Sequence, residues 1–174
     1  MVAPSDFEYR EEPVPVVSDG GVLVRTLFVS FDPAMRAFLH DRPSYIPPQP
    51  VGEVMRAGAI GQVVESRSPG FGAGDLVMGS FGWQDYSHFD GSHPTATKIT
   101  GDHPLPKYLG VLGGIGLTAH IGLLEVGKAT AGETVVVSGA AGATGSTVVQ
   151  IAKIKGCRTI AIAGGAAKCR WVTE

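Results

Sequence analysis

The sequence predicts a small β-barrel or sandwich followed by the start of a doubly wound parallel α/β sheet. Two observations predict this division. Up to Pro106 the chain reads as short apolar strands separated by turns. After Pro106, a strand, a glycine turn, a helix and a second strand follow one another, which is the order of an α/β unit. Hydrophobic residues make up 44% of the chain, so it can bury a core and is not intrinsically disordered.

Turn residues bound the predicted N-terminal strands. We expect one strand over residues 22–30, after Asp19-Gly20-Gly21, and a short one over residues 76–78. Residues 54–65 read as a strand pair or as one bent strand with glycine kinks. Residues 41–50 contain four prolines and are predicted to form an extended loop, because proline lacks an amide donor.

The C-terminal third predicts alternating helices and strands. In chain order these are two short buried helices within residues 108–126, broken near Gly113-Gly114, a strand over 134–138, a helix from Ala143 to Lys155, a strand over 158–163 and a helix starting at Ala166. The strand over 134–138 (TVVVS) is centred on three apolar valines, which is typical of a parallel sheet covered on both faces. Gly156 is placed to end the first long helix.

Charge and cysteine content exclude several classes of protein. The formal net charge is -2, which does not favour general nucleic-acid or membrane binding. No apolar run reaches the ~20 residues that span a bilayer, and the N-terminus has no signal-peptide pattern. The two cysteines, Cys157 and Cys169, do not suggest a disulfide scaffold, so we expect a cytoplasmic protein.

The junction between the strand at 134–138 and the next helix carries the clearest chemical motif. Residues 138–146 read SGAAGATGS, a GxxGxxG form of the dinucleotide-binding fingerprint. Free amides at a helix start attract phosphate oxygens, and the helix dipole adds to that attraction. The alternative is a purely structural glycine turn. We predict that a dinucleotide diphosphate binds at Gly142, Ala143, Thr144, Gly145 and Ser146.

The second strand predicts which nucleotide binds. An NAD site places a carboxylate about 20 residues on, to hold the ribose 2′-hydroxyl. That position falls at Gly164-Gly165, and no acidic residue occurs between Glu133 and Glu174. Lys168 follows immediately, so we predict that Gly164 and Lys168 accept the 2′-phosphate of NADPH. The alternative for Lys168 is an exposed lysine in a first helical turn.

Several motifs together resemble one enzyme family. They are residues 31–36 (FDPAMR), 72–77 (GAGDLV), 82–86 (GWQDY), 116–119 (GLTA), 140–145 (AAGATG) and 150–153 (QIAK). Their order and spacing resemble the medium-chain dehydrogenase/reductase superfamily, and within it the zinc-independent, NADPH-dependent double-bond reductases. That branch contains prostaglandin reductase (leukotriene B4 12-hydroxydehydrogenase) and bacterial curcumin reductase.

The resemblance implies a fold that is only partly present. It implies a GroES-like partial β-barrel over residues 1–118 and an incomplete Rossmann NADP-binding domain over residues 119–174. The chain thus reads as the N-terminal half of a reductase. We expect it to expose an apolar sheet edge and to have little or no reductase activity alone, since a two-stranded sheet is not stable by itself. Whether the full-length enzyme forms a homodimer is left open.

The resemblance also implies residue roles. The backbone of Ala143 to Ser146 holds the diphosphate, Lys168 the 2′-phosphate, and Thr118 lies near the nicotinamide. The segment Ser44-Tyr45-Ile46-Pro47-Pro48 matches the loop whose tyrosine is the proposed acid, so Tyr45 is the catalytic candidate; the alternative is an aromatic side chain that packs a proline loop. The chain departs from the family at Ala34 and His120, where tyrosine is frequent.

The implied reaction is NADPH-dependent reduction of the C=C bond of α,β-unsaturated ketones and aldehydes. We predict no metal: Gly52-Glu53 lacks the histidine of the zinc enzymes, no cysteine precedes Cys157, and catalytic zinc needs about three protein ligands. Two alternatives remain open. One is a quinone reductase of the same superfamily, and the other is a noncatalytic nucleotide-binding remnant.

Overall fold

The computed structural model describes residues 2–40, 42, 46–91 and 96–174. Contacts divide the chain into two units, Met1–Leu105 and Pro106–Glu174. The predicted domain boundary between residues 118 and 119 stays a prediction, because a division by contacts does not show where a nucleotide-binding domain begins.

The first unit is built on one curled antiparallel sheet. In the described residues its strands are β1 (Gly21–Val29), β2 (Ala59–Ser66), β3 (Leu76–Gly79), β4 (Tyr86–Asp90) and β5 (Ala96–Lys98), and one short helix, α1 (Pro33–Phe38), follows β1. The strand order is β4-β1-β2-β3-β5. The β1–β2 pairing shifts register between Leu23 and Val24 and between Thr26 and Phe28, and such irregularities bend a sheet. The predicted partial barrel is confirmed.

Apolar side chains from β1, β2 and β3, together with one residue that follows β3, form the core of this unit. The cluster comprises Val22, Val24, Ala59, Val63, Val77 and Phe81. A smaller cluster joins Met35 of α1 to Met55 and Ala57. Burial of a Val or Met side chain contributes about 1.5–3 kcal/mol, so these clusters fix the sheet and the segment around residue 56 to one another.

The strand predicted from residue 54 begins only at Ala59. Met55 and Ala57 are buried while Arg56 between them is half-buried, so the alternation that predicted a strand is present. The Met55 and Ala57 carbonyls instead accept the amides of Trp83 and Gly82, at 2.9 and 3.1 Å. Residues 54–58 are therefore held against a turn and form no strand ladder of their own.

Asp75 gives the first unit a pH-dependent contact. Its carboxylate accepts the Gly72 amide at 2.8 Å and pairs with the Lys98 ammonium at 2.6 Å. The Gly72 amide and then Lys98 hold the pKa of Asp75 below its ordinary value, since both favour the charged form. Asp75 therefore stabilises the fold above roughly pH 4, the unfolded pKa, and that contribution is lost as the pH falls through the lowered folded pKa.

We expect Asp75→Asn to flatten the acid side of the unfolding curve. Chemical unfolding between pH 2 and 7 should show the variant and the wild type converging at the lowest pH and separating above it. Asp19→Asn is the control. The Asp19 carboxylate is fully exposed, and its ion pair with Arg67 is long, at 3.6 Å, so it should contribute little to stability. A constant difference between Asp75→Asn and wild type at every pH contradicts this role.

The second unit contains the predicted α/β run. Its elements are a 3-10 turn (Leu105–Leu109), α2 (Gly114–His120), a π-helical turn (Ile121–Val126), β6 (Thr134–Ser138), α3 (Ala143–Ile154), β7 (Arg158–Ile162) and α4 (Ala166–Thr173). The helix break before Gly114 is as predicted, and Gly156 ends α3 with a positive φ of 78°. The predicted buried helices are only partly buried: Ala119 and Leu123 are buried, whereas Leu117 is 60% and Val126 76% exposed.

β6 and β7 pair in parallel, with α3 packed on one face. Val137 is buried, whereas Val136, Ile160 and Ile162 are 59%, 42% and 54% exposed. Neighbouring side chains of a strand point to opposite faces, so one face of this pair stays uncovered. The prediction of a strand covered on both faces is therefore wrong for these residues.

None of the described helices has the length and hydropathy that crossing a membrane requires.

Candidate functional site

The glycine turn after β6 is tied to both strands of the parallel pair. Gly139 has a φ of 63°, which favours glycine and turns the chain sharply. The Ala140 amide then donates to the Ile162 carbonyl at 3.0 Å, and the Gly142 amide donates to the Gly139 carbonyl at 2.8 Å. β6 and β7 run parallel, so the turns that follow them meet at one edge of the sheet.

Gly145 brings α3 against this turn. A Cβ atom at Gly145 would overlap the Gly139 carbonyl and lie 2.9 Å from the Ala140 Cα. At Gly142 a Cβ would lie 3.2 Å from the same carbonyl. The helix start and the turn therefore approach at a distance that only glycine permits, as the fingerprint predicted.

The first turn of α3 presents unpaired amides. Gly142 is its N-cap, and no side-chain cap hydrogen bond forms there. Gly142, Ala143 and Thr144 are exposed. The Ser146 and Thr147 hydroxyls turn back to the Ala143 carbonyl, at 3.1 and 2.9 Å, so neither caps the amides. The first amides of a helix lack intrahelical partners and carry the positive end of the dipole, which fits a diphosphate.

The turn after β7 adds a cation at the same edge. Gly164 is exposed, and Gly165, with a φ of 82°, leads into α4. Lys168 lies in the first turn of α4 and is exposed. Across the residues that the structure describes, no carboxylate lies within ion-pair distance of Lys168. A phosphate would meet an ammonium here and no competing acid.

The other two predicted residues are less defined by the structure. Thr118 lies on α2, which packs against α3, and its hydroxyl donates to the Gly114 carbonyl at 2.7 Å. An open groove of about 300 Å³ runs between these helices and includes Leu117, His120, Thr147 and Ile151, but not Thr118. Tyr45 lies outside the described residues. Nearness of Thr118 to the nicotinamide stays a prediction.

Sequence reasoning assigned no role to Arg56, whose guanidinium binds two proline carbonyls of the segment after Tyr45. The available signal was the proline content of residues 41–50, which leaves carbonyl acceptors without local amide donors.

No group of three or more candidate metal ligands occurs among the described residues. Zinc independence stays a prediction.

Comparison with known proteins assigns the chain to a family. A sequence model of the family described as the N-terminal domain of oxidoreductase matches residues 1–97. The chain belongs to this oxidoreductase family. Together with the relatives below, the match confirms the predicted membership of the medium-chain dehydrogenase/reductase superfamily.

Two curated relatives match almost the whole length of this chain. The NADPH-dependent curcumin reductase of Escherichia coli is 48% identical over 173 residues, which is 98% of this chain and 49% of that enzyme. Prostaglandin reductase 1 of Oryctolagus cuniculus is 40% identical over 172 residues, 98% of this chain and 47% of that enzyme. The chain thus spans about half the length of the curated relatives it matches.

A solved structure shows the same fold. The crystal structure of CurA in complex with NADPH from Vibrio vulnificus superposes with a TM-score of 0.91 at 40% identity. The match covers 99% of this chain and 51% of the CurA chain. The predicted GroES-like partial barrel, followed by the start of a Rossmann sheet, is therefore confirmed.

Proposed function

We propose that this chain is the NADPH-binding N-terminal half of a zinc-independent reductase of the C=C bond of α,β-unsaturated ketones and aldehydes. One observation carries the proposal: the unpaired amides of α3 and the ammonium of Lys168 lie after neighbouring parallel strands, without a carboxylate at the second turn. The names of the curcumin and prostaglandin reductases, and the NADPH in the CurA crystal, support the same assignment.

The chain's own residues divide into binding and proton-handling groups. The backbone amides of Ala143, Thr144 and Gly145 bind the diphosphate, and Lys168 binds the 2′-phosphate. Thr118 on α2 would lie beside the nicotinamide. NADPH supplies a hydride to the β-carbon of the substrate when it is bound.

Tyr45 is the proposed proton donor. Hydride addition to an enone leaves negative charge on the carbonyl oxygen, and a hydroxyl donor at that oxygen stabilises the enolate. A phenol donates this hydrogen bond and can pass its proton toward the α-carbon. No Lewis acid is needed for this charge, because it is spread over the enolate. The absence of the zinc enzymes' histidine at Gly52-Glu53 is consistent with such a reaction.

Binding and turnover test the proposal separately. The isolated chain should bind NADPH more tightly than NADH in a fluorescence titration. A fusion of residues 1–174 to the C-terminal half of the E. coli curcumin reductase should oxidise NADPH in the presence of an enone or enal. Faster turnover with a quinone than with either would assign the chain to the quinone reductases, and tighter binding of NADH would overturn the cofactor assignment.

The exposed face of the β6–β7 pair favours a second reading of the isolated chain. Its uncovered Val136, Ile160 and Ile162 indicate that the sheet is incomplete without further strands and helices. We infer that the 174-residue chain by itself binds NADPH without turning it over. Enone-dependent NADPH oxidation by the purified chain alone would contradict this.

We expect Tyr45→Phe in the fusion to lower kcat while leaving the NADPH dissociation constant unchanged, since the proposed role of the phenol is toward the substrate and not toward the cofactor. Steady-state turnover at saturating enone and an NADPH titration measure the two quantities. Tyr9→Phe is the control, because Tyr9 is exposed and, among the described residues, its hydroxyl bonds only to Glu11, at 3.4 Å. An unchanged kcat rules out the role given to Tyr45.

A further inference from the structure

We infer that Ser18 and His88 form a second, nucleophilic site in the first unit, which accepts small acyl groups from activated esters. The site is independent of the proposed reductase function, and neither the sequence motifs nor the names of the relatives assign a role to either residue. It lies between the turn that precedes β1 and the neighbouring strand β4. Its basis is a direct contact between a hydroxyl and an imidazole.

The two side chains meet although they are far apart in the sequence. The Ser18 Oγ lies 3.3 Å from the His88 Nε2, across 70 positions of the chain. When the ring proton is on Nδ1, Nε2 accepts the hydroxyl hydrogen of Ser18. A serine beside an imidazole base is the arrangement that activates a hydroxyl as a nucleophile. Nucleophile and base lie within roughly 2.6–3.2 Å in such pairs, and often slightly farther apart before substrate binds.

Gly21 holds both groups in place. A Cβ atom at Gly21 would overlap the His88 Nε2 and lie 3.0 Å from the Ser18 Oγ. The Gly21 amide also donates to the Ser18 carbonyl at 2.9 Å, which closes the turn. The hydroxyl and the imidazole therefore approach each other over a position where only glycine leaves room.

The β1–β4 pairing directs His88 toward this turn. His88 lies opposite Leu23 in the antiparallel register, and Gly21 precedes Leu23 by two residues, on the same face of β1. Among the described residues, Ser18 is the hydrogen-bond partner of the His88 side chain, and no carboxylate orients the ring. Packing against Gly21 positions the imidazole, so we expect a weaker activation than an acid-oriented triad gives.

The hydroxyl is open to an incoming ester. Ser18 is exposed and His88 is half-buried. In the part of the chain that the structure describes, no group accepts the backbone amides of Asp19 and Gly20. An amide next to the nucleophile is a common donor to the oxyanion of an acyl-transfer intermediate. The turn and β4 together thus supply a nucleophile, a base and unpaired N–H donors.

The proposed reaction transfers an acyl group to Ser18 and then to water. The Ser18 Oγ bonds to the carbonyl carbon of the ester, its proton passes to the His88 Nε2, and the aryl oxide leaves with the electrons of the broken C–O bond. His88 releases that proton to solvent. It then accepts a proton from the water that attacks the acyl-serine and returns it to Oγ as the carboxylic acid leaves. Since the activation is weak, only esters whose leaving group is stable as an anion should react.

Incubation of the 174-residue chain with p-nitrophenyl acetate tests the inference. Release of p-nitrophenolate should show a burst, and peptide mass spectrometry should locate the acetyl group on Ser18. Ser5 is the internal control, because it is exposed and no described histidine contacts its hydroxyl. Acetylation of Ser18 should be at least about tenfold faster than that of Ser5, below the roughly 100- to 10,000-fold that a well-positioned base contributes.

Two substitutions separate the nucleophile from the base. Ser18→Ala should abolish the burst. His88→Gln should slow acetylation of Ser18 by about tenfold, because glutamine keeps the hydrogen bond but cannot take up a proton. His103→Gln is the matched control, since His103 is exposed and its ring has no hydrogen bond to a described residue.

Three results would overturn the inference: a burst that persists in Ser18→Ala, an acetyl group found on His88 or on lysines but not on Ser18, and equal acetylation of Ser18 and Ser5. If His88→Gln lowers Tm, the ratio of acetylation at Ser18 to that at Ser5 in the wild type decides. NADPH binding is measured by the titration described above, so failure of this inference leaves the proposed function standing.

Discussion

Gly145→Ala should reduce the NADPH affinity of the isolated chain by at least about 100-fold. The added Cβ would overlap the Gly139 carbonyl and lie 2.9 Å from the Ala140 Cα, and both are backbone atoms that cannot rotate away. α3 must then move relative to the turn, and the amides of Ala143 and Thr144 move with it. Two hydrogen bonds to a charged phosphate contribute about 3–6 kcal/mol together, so their misalignment accounts for the expected loss.

The matched control is Gly122→Ala, in the π-helical turn. A Cβ at Gly122 meets nothing within 4 Å, so it tests the cost of a methyl group without a clash. Fluorescence titration with NADPH and circular dichroism should be measured on both variants. Wild-type affinity in Gly145→Ala would show that the glycine turn does not hold the diphosphate. Equal losses in the two variants would show that the effect is not specific to the turn.

The C-terminal unit was predictable because its signals are local. Strand β6 occupies the predicted residues 134–138, and α3 begins at Ala143 as predicted. The requirement for glycine at position 145 was also predictable, since the spacing of the glycines in the fingerprint indicates a close approach of helix and turn. The missing carboxylate near Gly164 needed only a count along the sequence. Each of these features involves residues that are close together in the chain or that lie at a fixed distance from the glycine fingerprint.

Other features depend on contacts that the sequence does not display. Met55 and Ala57 are buried alternately like strand residues, but they pack on a turn and form no ladder of their own. The apolar sequence of β6 predicts two covered faces, yet none of the described residues covers Val136, which is 59% exposed. The bonds of Arg56 to two prolines join residues eight and nine positions apart through a loop, and no periodicity marks them.

Lys168→Ala should weaken NADPH binding by about 10- to 100-fold and leave NADH binding nearly unchanged. A hydrogen bond between charged groups contributes about 1.5–3 kcal/mol, and only NADPH carries the 2′-phosphate that would form it. The described residues give Lys168 no competing carboxylate, so its ammonium is available to the ligand. The NADPH affinity of the wild type should also fall as salt is raised, and that dependence should be smaller in the variant.

Arg170→Ala is the matched control for this substitution. Arg170 is an exposed cation on the same helix, two residues after Lys168. Two residues turn an α-helix by about 200°, so the two side chains leave α4 on opposite sides. Each substitution removes one positive charge from α4. Comparing the two variants therefore distinguishes the loss of a direct contact with the 2′-phosphate from the loss of overall positive charge. Equal losses of NADPH affinity in the two variants would mean that the field of the basic segment selects the cofactor, whereas a loss confined to Lys168→Ala would assign the 2′-phosphate contact to this lysine.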